Sequence, residues 1–212
     1  MIKTDKSQYN LILNKTSTYY IERSASNSFD LMLKAGKKLA NQIFINYKKR
    51  KTLIICGIGG NGGDGFIVAQ ELLNKKWDID VVIIGDKNLI KGDALKALNQ
   101  LKIKPKNFED IDLNKISLFV DALFGIGLSR KINNKAIKIL KTIDKHKAPV
   151  VGVDIPSGID SNSGQILGYA PYCDLVITFS TLKYGHILVP GSERYNKIKV
   201  ENIGIKKPII NS

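Results

Sequence analysis

Oxygen-bearing side chains gather at three places in this sequence: Asn61 and Asp64 in "GGNGGDG", Asp121 in "VDALFG", and Asp154 with Ser157 in "VDIPSG". Carboxylate, amide carbonyl and hydroxyl oxygens together suit a hard cation, not zinc. Carboxylates that end apolar runs are also candidates for moving protons, because an unpaired charge is costly to desolvate there. Taken alone, Asp64 reads equally as a helix cap or as a site residue. Asp160 with Ser161 reads as turn chemistry. Cys56 and Cys173 are the only cysteines; they read as small buried hydrophobes without zinc-ligand spacing.

Positioning these groups falls to six apolar runs: "TLIIC" (52–56), "DVVIIG" (80–85), "SLFVDAL" (117–123), "PVVGVDI" (149–155), "DLVITFS" (174–180) and "KIKVENIGI" (197–205). Most are continuous instead of alternating, as strands covered on both faces are. Helical spacing links them: Ala136, Ile139, Leu140 and Ile143 recur at i, i+3, i+4 and i+7, as do Ala40, Ile43, Phe44 and Tyr47, with a shorter set at Phe66, Ala69 and Leu73. The alternation predicts an α/β fold, a Rossmann-like three-layer αβα sandwich with a mainly parallel sheet, in one domain over residues 1–212. Ligands of such folds bind beyond the carboxyl ends of the strands, where these acids fall. The turn-rich stretch 156–171 is long for a loop and reads as functional or as a flap.

The formal charge of +14 comes almost entirely from Lys, with Arg only at Arg23, Arg50, Arg130 and Arg194. Without Arg interleaved with aromatics, the charge points away from a nucleic-acid interface. No run approaches the length of a membrane span, and the start of the chain lacks a basic-then-apolar leader, so a cytoplasmic location is expected. Gly57, Gly59 and Gly62 satisfy G-x-G-x-x-G after a strand, and Asp86 could serve a ribose, so a nicotinamide-dependent oxidoreductase is one reading. Against it, Asp64 near the helix start would repel a pyrophosphate seated there. A phosphate loop of the Walker type fails for want of Gly-Lys-Ser/Thr.

At "GIGGNGGDG", "VDALFGIGLSR", "VDIPSGID", "TFSTLKYGH" and "VENIGI", in that order, the sequence closely resembles the NAD(P)H-hydrate epimerase family over about residues 20–205. The resemblance implies an isomerase that interconverts the R and S forms of hydrated NADH and NADPH, which carry a hydroxyl at nicotinamide C6, for an S-specific dehydratase dependent on ADP or ATP. It implies a potassium ion held by Asn61, Asp121 and Ser157. Substrate contacts carry over to Gly60, Asn61, Gly62, Gly63 and Asp64, to Gly125, Ile126, Gly127, Leu128, Ser129, Arg130 and Lys131, and to Asp154. A homodimer is implied as well. The family's first Asn of N-N-G-G-D is Gly60 here, which removes one amide from the substrate loop.

Asp154 is the first candidate for general acid and base. Lys183 reads as a second proton donor, as a phosphate contact, or as an exposed loop lysine. His186 is open between site and structure, and His146 reads as a helix-end surface residue. A non-catalytic module on the same fold, binding an ADP-ribose-like ligand, RNA or protein, is the alternative; the intact Asp64, Asp121, Asp154 and Ser157 favour the enzyme. The chain stops soon after "VENIGI", so no dehydratase chemistry is expected of it, and the polar tail "KKPIINS" suits either a stand-alone protein or an excised domain.

Overall fold

The computed structural model describes residues 11–24 and 27–205. The readings made on residues 1–10 and on the tail 206–212 lie outside the described residues. In chain order the strands are β1 (Ile12–Leu13), β2 (Thr52–Cys56), β3 (Ile79–Ile83), β4 (Leu118–Ala122), β5 (Val150–Val153), β6 (Cys173–Phe179), β7 (Leu182–Lys183) and β8 (Tyr195–Glu201). The helices of one turn or more are α1 (Lys15–Arg23), α2 (Ser28–Asn46), α3 (Gly60–Asn74), α4 (Gly92–Gln100), α5 (Asn134–Asp144) and α6 (Tyr184–Ile187).

Six strands form one sheet in the order β3-β2-β4-β5-β6-β8, and every pair is parallel. All residues of β2, β3, β4 and β5 are buried, which accounts for their continuous apolar runs. Leu39 and Ile43 of α2 and Phe66 and Leu72 of α3 pack on Ile54, Val120 and Val151 of one sheet face. Ile139, Leu140 and Ile143 of α5 pack on Leu53, Ile55 and Phe119 of the other. The result is the expected three-layer α/β sandwich. A second, two-stranded sheet pairs β1 with β7, placing Leu13 opposite Lys183; nothing in the sequence pattern announced strands this short.

Local signals set the helix boundaries. Asn27 caps α2, its side chain accepting from the Phe29 and Asp30 amides, and Asn133 does the same for Ala136 in α5. Helix α3 begins at Gly60, well ahead of its apolar stripe, so Asp64 lies inside the helix and the first turn carries no acid. The capping role considered for Asp64 is therefore excluded. The last strand stops at Glu201, short of the expected 205, because Gly204 turns at φ +89° and Ile203 and Ile205 leave the sheet for the core beneath α2.

Residues 156–171 are no free flap. Ile159 bridges to Ile166, and with Ile155 and Ala170 they form a small core of their own. Asp160 accepts from the Asn162 and Ser163 amides, the expected turn chemistry. From β2 the chain moves outward to β3, returns across to β4 and continues to β5. The change of direction lies between β2 and β4, so a crevice opens at their carboxyl ends.

Candidate active site

A cleft of about 660 Å³ occupies that crevice. Its walls are Ile58, Gly59, Gly60 and Asn61 after β2, Ile84 and Gly85 after β3, residues 123–130 after β4, Asp154 after β5 and Phe179 at the end of β6. Two glycines bring the walls together. A Cβ on Gly57 would lie 2.0 Å from the Leu123 carbonyl oxygen, and one on Gly62 would lie 1.9 Å from that of Gly57. These glycines serve chain-to-chain packing, which weakens the dinucleotide fingerprint as a sign of pyrophosphate binding. Asp86, the ribose candidate, is exposed and caps a short 3-10 turn through the Asn88 amide.

Asp154 sits just past β5 in the left-handed region, at φ +64°. A non-glycine residue there is costly and persists where its surroundings fix it. Its amide donates to the Ile177 carbonyl at 2.8 Å, and its own carbonyl oxygen lies 2.8 Å from His186 Nε2. His186 Nδ1 accepts from the Lys183 amide at 3.0 Å, which assigns the proton to Nε2. The ring is fully buried, and burial followed by the Lys183 charge lowers its pKa to about 4. His186 is thus a neutral brace between two backbones.

The Asp154 carboxylate receives Lys183 Nζ at 2.6 Å and Thr178 Oγ1 at 2.8 Å, both on Oδ1. Oδ2 is left to the cleft that Asp154 lines. Burial alone would raise this carboxyl; the Lys183 charge and hydrogen bond outweigh it and hold the group below the usual carboxylate range. Lys183 is 1% exposed and also donates to Thr178 Oγ1 at 2.7 Å. The exposed-loop reading of Lys183 is overturned, since pairing offsets the burial cost of the ammonium.

Asp121 meets the opposite circumstance. It is fully buried and accepts from Ser157 Oγ at 2.6 Å, the Ser157 amide at 2.9 Å and the Leu123 amide at 3.3 Å, yet no described cation pairs with it. Burial raises its pKa despite those hydrogen bonds. Nearby in the fold, Asn61 Oδ1 lies so close to Gly125 that a Cβ there would sit 2.8 Å away, and Asn61 Nδ2 is buried without a partner. Amide orientation is assigned from hydrogen bonding, so either atom can face that space. The set fits a hard cation held by oxygen, and the described residues contain no cluster of His, Cys, Asp and Glu suited to other metals.

Of the other expected contacts, Gly60, Asn61, Asp64, Gly125, Ile126, Gly127, Leu128, Ser129 and Arg130 line the cleft. Gly62, Gly63 and Lys131 do not: Gly62 packs on Gly57, Gly63 on Met32, and Lys131 is exposed. Asp121, Ser157 and Lys183 stand behind the wall. His146 is no simple surface residue, since its ring bridges the Leu113 carbonyl and the Ala148 amide against Phe119. Cys56 and Cys173 are buried, as read.

Residues 24–185 match the YjeF-related protein N-terminus family. The chain belongs to this family. It is 34% identical over 161 residues to an NAD(P)H-hydrate epimerase of Weissella koreensis, covering 74% of this chain and 72% of that one. An NAD(P)H-hydrate epimerase of Oenococcus oeni is 30% identical over 210 residues, 91% of this chain and 100% of that one. A bifunctional NAD(P)H-hydrate repair enzyme of Moorella thermoacetica is 30% identical over 198 residues, 86% of this chain but 37% of its own. The fold is that of the yeast ynu0 crystal structure, with a TM-score of 0.73 at 20% identity over 90% of this chain and 88% of that one.

The YjeF-related segment begins after α1, yet α1 adds Tyr19 and Glu22 to the cleft. Neither was expected from the sequence. The signal lay in the helix face: Thr18 and Ile21 are buried, and Glu22, one turn past Thr18, shares their side. Lys135 and Asn133 at the start of α5 were also missed, beside the expected Arg130.

Proposed function

We propose that this protein is an NAD(P)H-hydrate epimerase of the YjeF-related family, interconverting the R and S hydrates of NADH and NADPH. The observation that carries the reading is the ionised Asp154 carboxylate, neutralised on one oxygen by Lys183 and open to a nucleotide-sized cleft on the other. In the substrate, C6 bears both the hydroxyl and the ring nitrogen. Protonated hydroxyl leaves as water while the nitrogen lone pair forms an iminium, and water returns to either face. The chemistry requires a proton donor, a proton acceptor and a negative field, and no redox partner. Asp154 supplies the acceptor and the field, with Lys183 and Thr178 orienting it. Arg130 and Lys135 offer positive charge to a pyrophosphate at the cleft mouth.

Potassium is the proposed cofactor, with Asn61, Asp121 and Ser157 to hold it. Bound there, it would neutralise Asp121 and fix the chain after β2 against the chain after β4. The proposed partner is an S-specific dehydratase; bifunctional repair enzymes among the relatives support it. We also place the protein in the cytoplasm, with residues 1–212 as one domain; no described helix is long and apolar enough to cross a membrane. Association as a homodimer is proposed from the exposed apolar ridge of Tyr184, Ile187, Leu188 and Val189.

The test mixes R and S NADH hydrate in potassium buffer with an S-specific dehydratase and its nucleotide, and follows regenerated NADH by absorbance. Recovery rises from the S fraction to nearly the whole pool when the protein is added, and Asp154→Asn abolishes the gain, by about 10²-fold or more, while the fold survives. Recovery that stops at the S fraction would hand the site to the non-catalytic binding module.

A further inference from the structure

Inversion at C6 makes a demand that Asp154 alone does not meet. The hydroxyl departs from one face of the ring and water arrives at the other, so donor and acceptor must approach from different walls. An ionised Asp154 can only accept.

Helix α1 forms another wall. Its start is tied to the cleft loop after β4 and to the turn after β5: Lys15 Nζ donates to the Gly127 carbonyl at 3.1 Å, and the Lys15 amide donates to Asn162 Oδ1 at 2.7 Å. Just before it, β1 runs beside β7, with Leu13 opposite Lys183. Anchored at that end, α1 turns Tyr19 and Glu22 toward the cleft and toward an adjoining recess of about 250 Å³ that also touches Asp64 and Asp93. No described residue gives the Glu22 carboxyl a hydrogen bond or an ion pair. Its neighbour Arg23 instead lies over the Tyr19 ring, 6.0 Å from the centroid. Among the described residues, this acid on the inward side of a helix, in a chain of net charge +14, has no partner to explain it.

We propose that Glu22 is a second catalytic carboxyl, donating the proton to the departing C6 hydroxyl from the α1 wall while Asp154 receives the proton of the incoming water. The inference rests on the epimerase reading. Glu22–COOH gives its proton to the hydroxyl oxygen; the C6–O bond breaks with its electron pair on the leaving water, and the nitrogen lone pair closes the iminium. Water then adds to C6, the π pair returns to nitrogen, and the surplus proton passes to Asp154. By microscopic reversibility the reverse direction starts from protonated Asp154 and ionised Glu22, and proton exchange with solvent interconverts the two forms of the pair.

The surroundings agree. The groups facing Glu22 are Tyr19 and Arg23 on its own helix, Asp64 on α3, Asp93 on α4, and Asp154 with Lys183 at the sheet edge. Burial, then the Asp154 charge, pushes Glu22 up to about 7, so it keeps a proton to give at neutral pH. Asp64, by the same two causes, is held well above the usual range.

The experiment measures kcat and KM for epimerisation across pH in the wild type, Glu22→Gln and Glu22→Asp, with spontaneous epimerisation subtracted. For Glu22→Gln, kcat falls by about 10²-fold with KM nearly unchanged, the alkaline decline of the wild-type profile disappears, and Glu22→Asp recovers part of the loss. An active wild type with Glu22→Gln within about twofold of it and the same alkaline limb overturns the proposal. So does a Glu22→Gln protein whose Tm falls and whose KM rises with kcat retained, which would make Glu22 a prop for α1. A wild type without epimerase activity removes the epimerase reading itself, and the proposal with it.

Discussion

Asp121 and Asp154 end neighbouring strands of one sheet, both buried, and the fold treats them oppositely. Asp154 receives an ammonium and keeps its charge, with one oxygen open to the cleft. Asp121 receives a hydroxyl and two backbone amides but no cation, and burial pushes its pKa up. Burial penalises both charges alike, so the difference lies in what the next elements bring: β7 delivers Lys183 to one, and the turn after β5 delivers Ser157 to the other. One region already holds its counter-charge. In the other, the proposed potassium ion would supply it.

Lys183→Met breaks the comparison most sharply, because it makes Asp154 resemble Asp121. Removing one partner of a buried ion pair costs about 3–5 kcal/mol. The sign with pH also changes. In the wild type the lowered Asp154 pKa contributes stability that is present above the unfolded carboxylate value and is lost as pH falls through the folded one. Without Lys183 the carboxyl is raised, the folded state binds the extra proton, and stability falls as pH rises through the carboxylate range. Denaturant melts of both proteins from acid to neutral pH check this; equal stabilities at neutral pH would mean the pair does not hold the site.

A smaller effect is expected at Asp121. Its raised pKa costs stability as pH rises, and a bound cation reverses that cost. Replacing a large organic cation by potassium at constant ionic strength should raise Tm by several degrees, since a ligand at 100 times its Kd contributes about 2.7 kcal/mol. Asp121→Asn should lose the increment while keeping the Ser157 contacts in part. An increment that survives Asp121→Asn would place the ion elsewhere.

The sequence displayed one side of this comparison better than the other. Asp121, Asp154 and Ser157 were legible because continuous apolar runs mark buried parallel strands, and acids at their ends have few other uses. Lys183 was not legible as buried. Its partner lies 29 residues away, and lysines on short loops usually face water. Asp64 was misplaced because glycines hide a helix start: propensity puts Gly60 through Gly65 in a loop, whereas packing against Met32 and Cys56 draws them into α3. Glu22 was overlooked since α1 is short and reads as polar, and only its contact with the cleft gives the acid a purpose.

The glycine loop joins the two regions and yields the mildest test. On its closed side there is no room for a Cβ on Gly62, against the Gly57 backbone, or on Gly125, against Asn61. On its open side, Gly60 lines the cleft and a Cβ there meets nothing within 4 Å, at a φ outside the left-handed region. Asparagine fits at Gly60 without strain and restores an amide to the wall that faces Asp154. One added hydrogen bond is worth about 0.5–1.5 kcal/mol, so Gly60→Asn should tighten substrate binding by up to about tenfold with Tm scarcely altered. Because a Cβ at Gly60 enters open space and touches neither Asp121 nor Ser157, the potassium increment should not move. A tenfold loss of affinity, or a change in the response to potassium, would mean that the open and closed sides of the loop are coupled and that the two carboxylates do not act as separate devices.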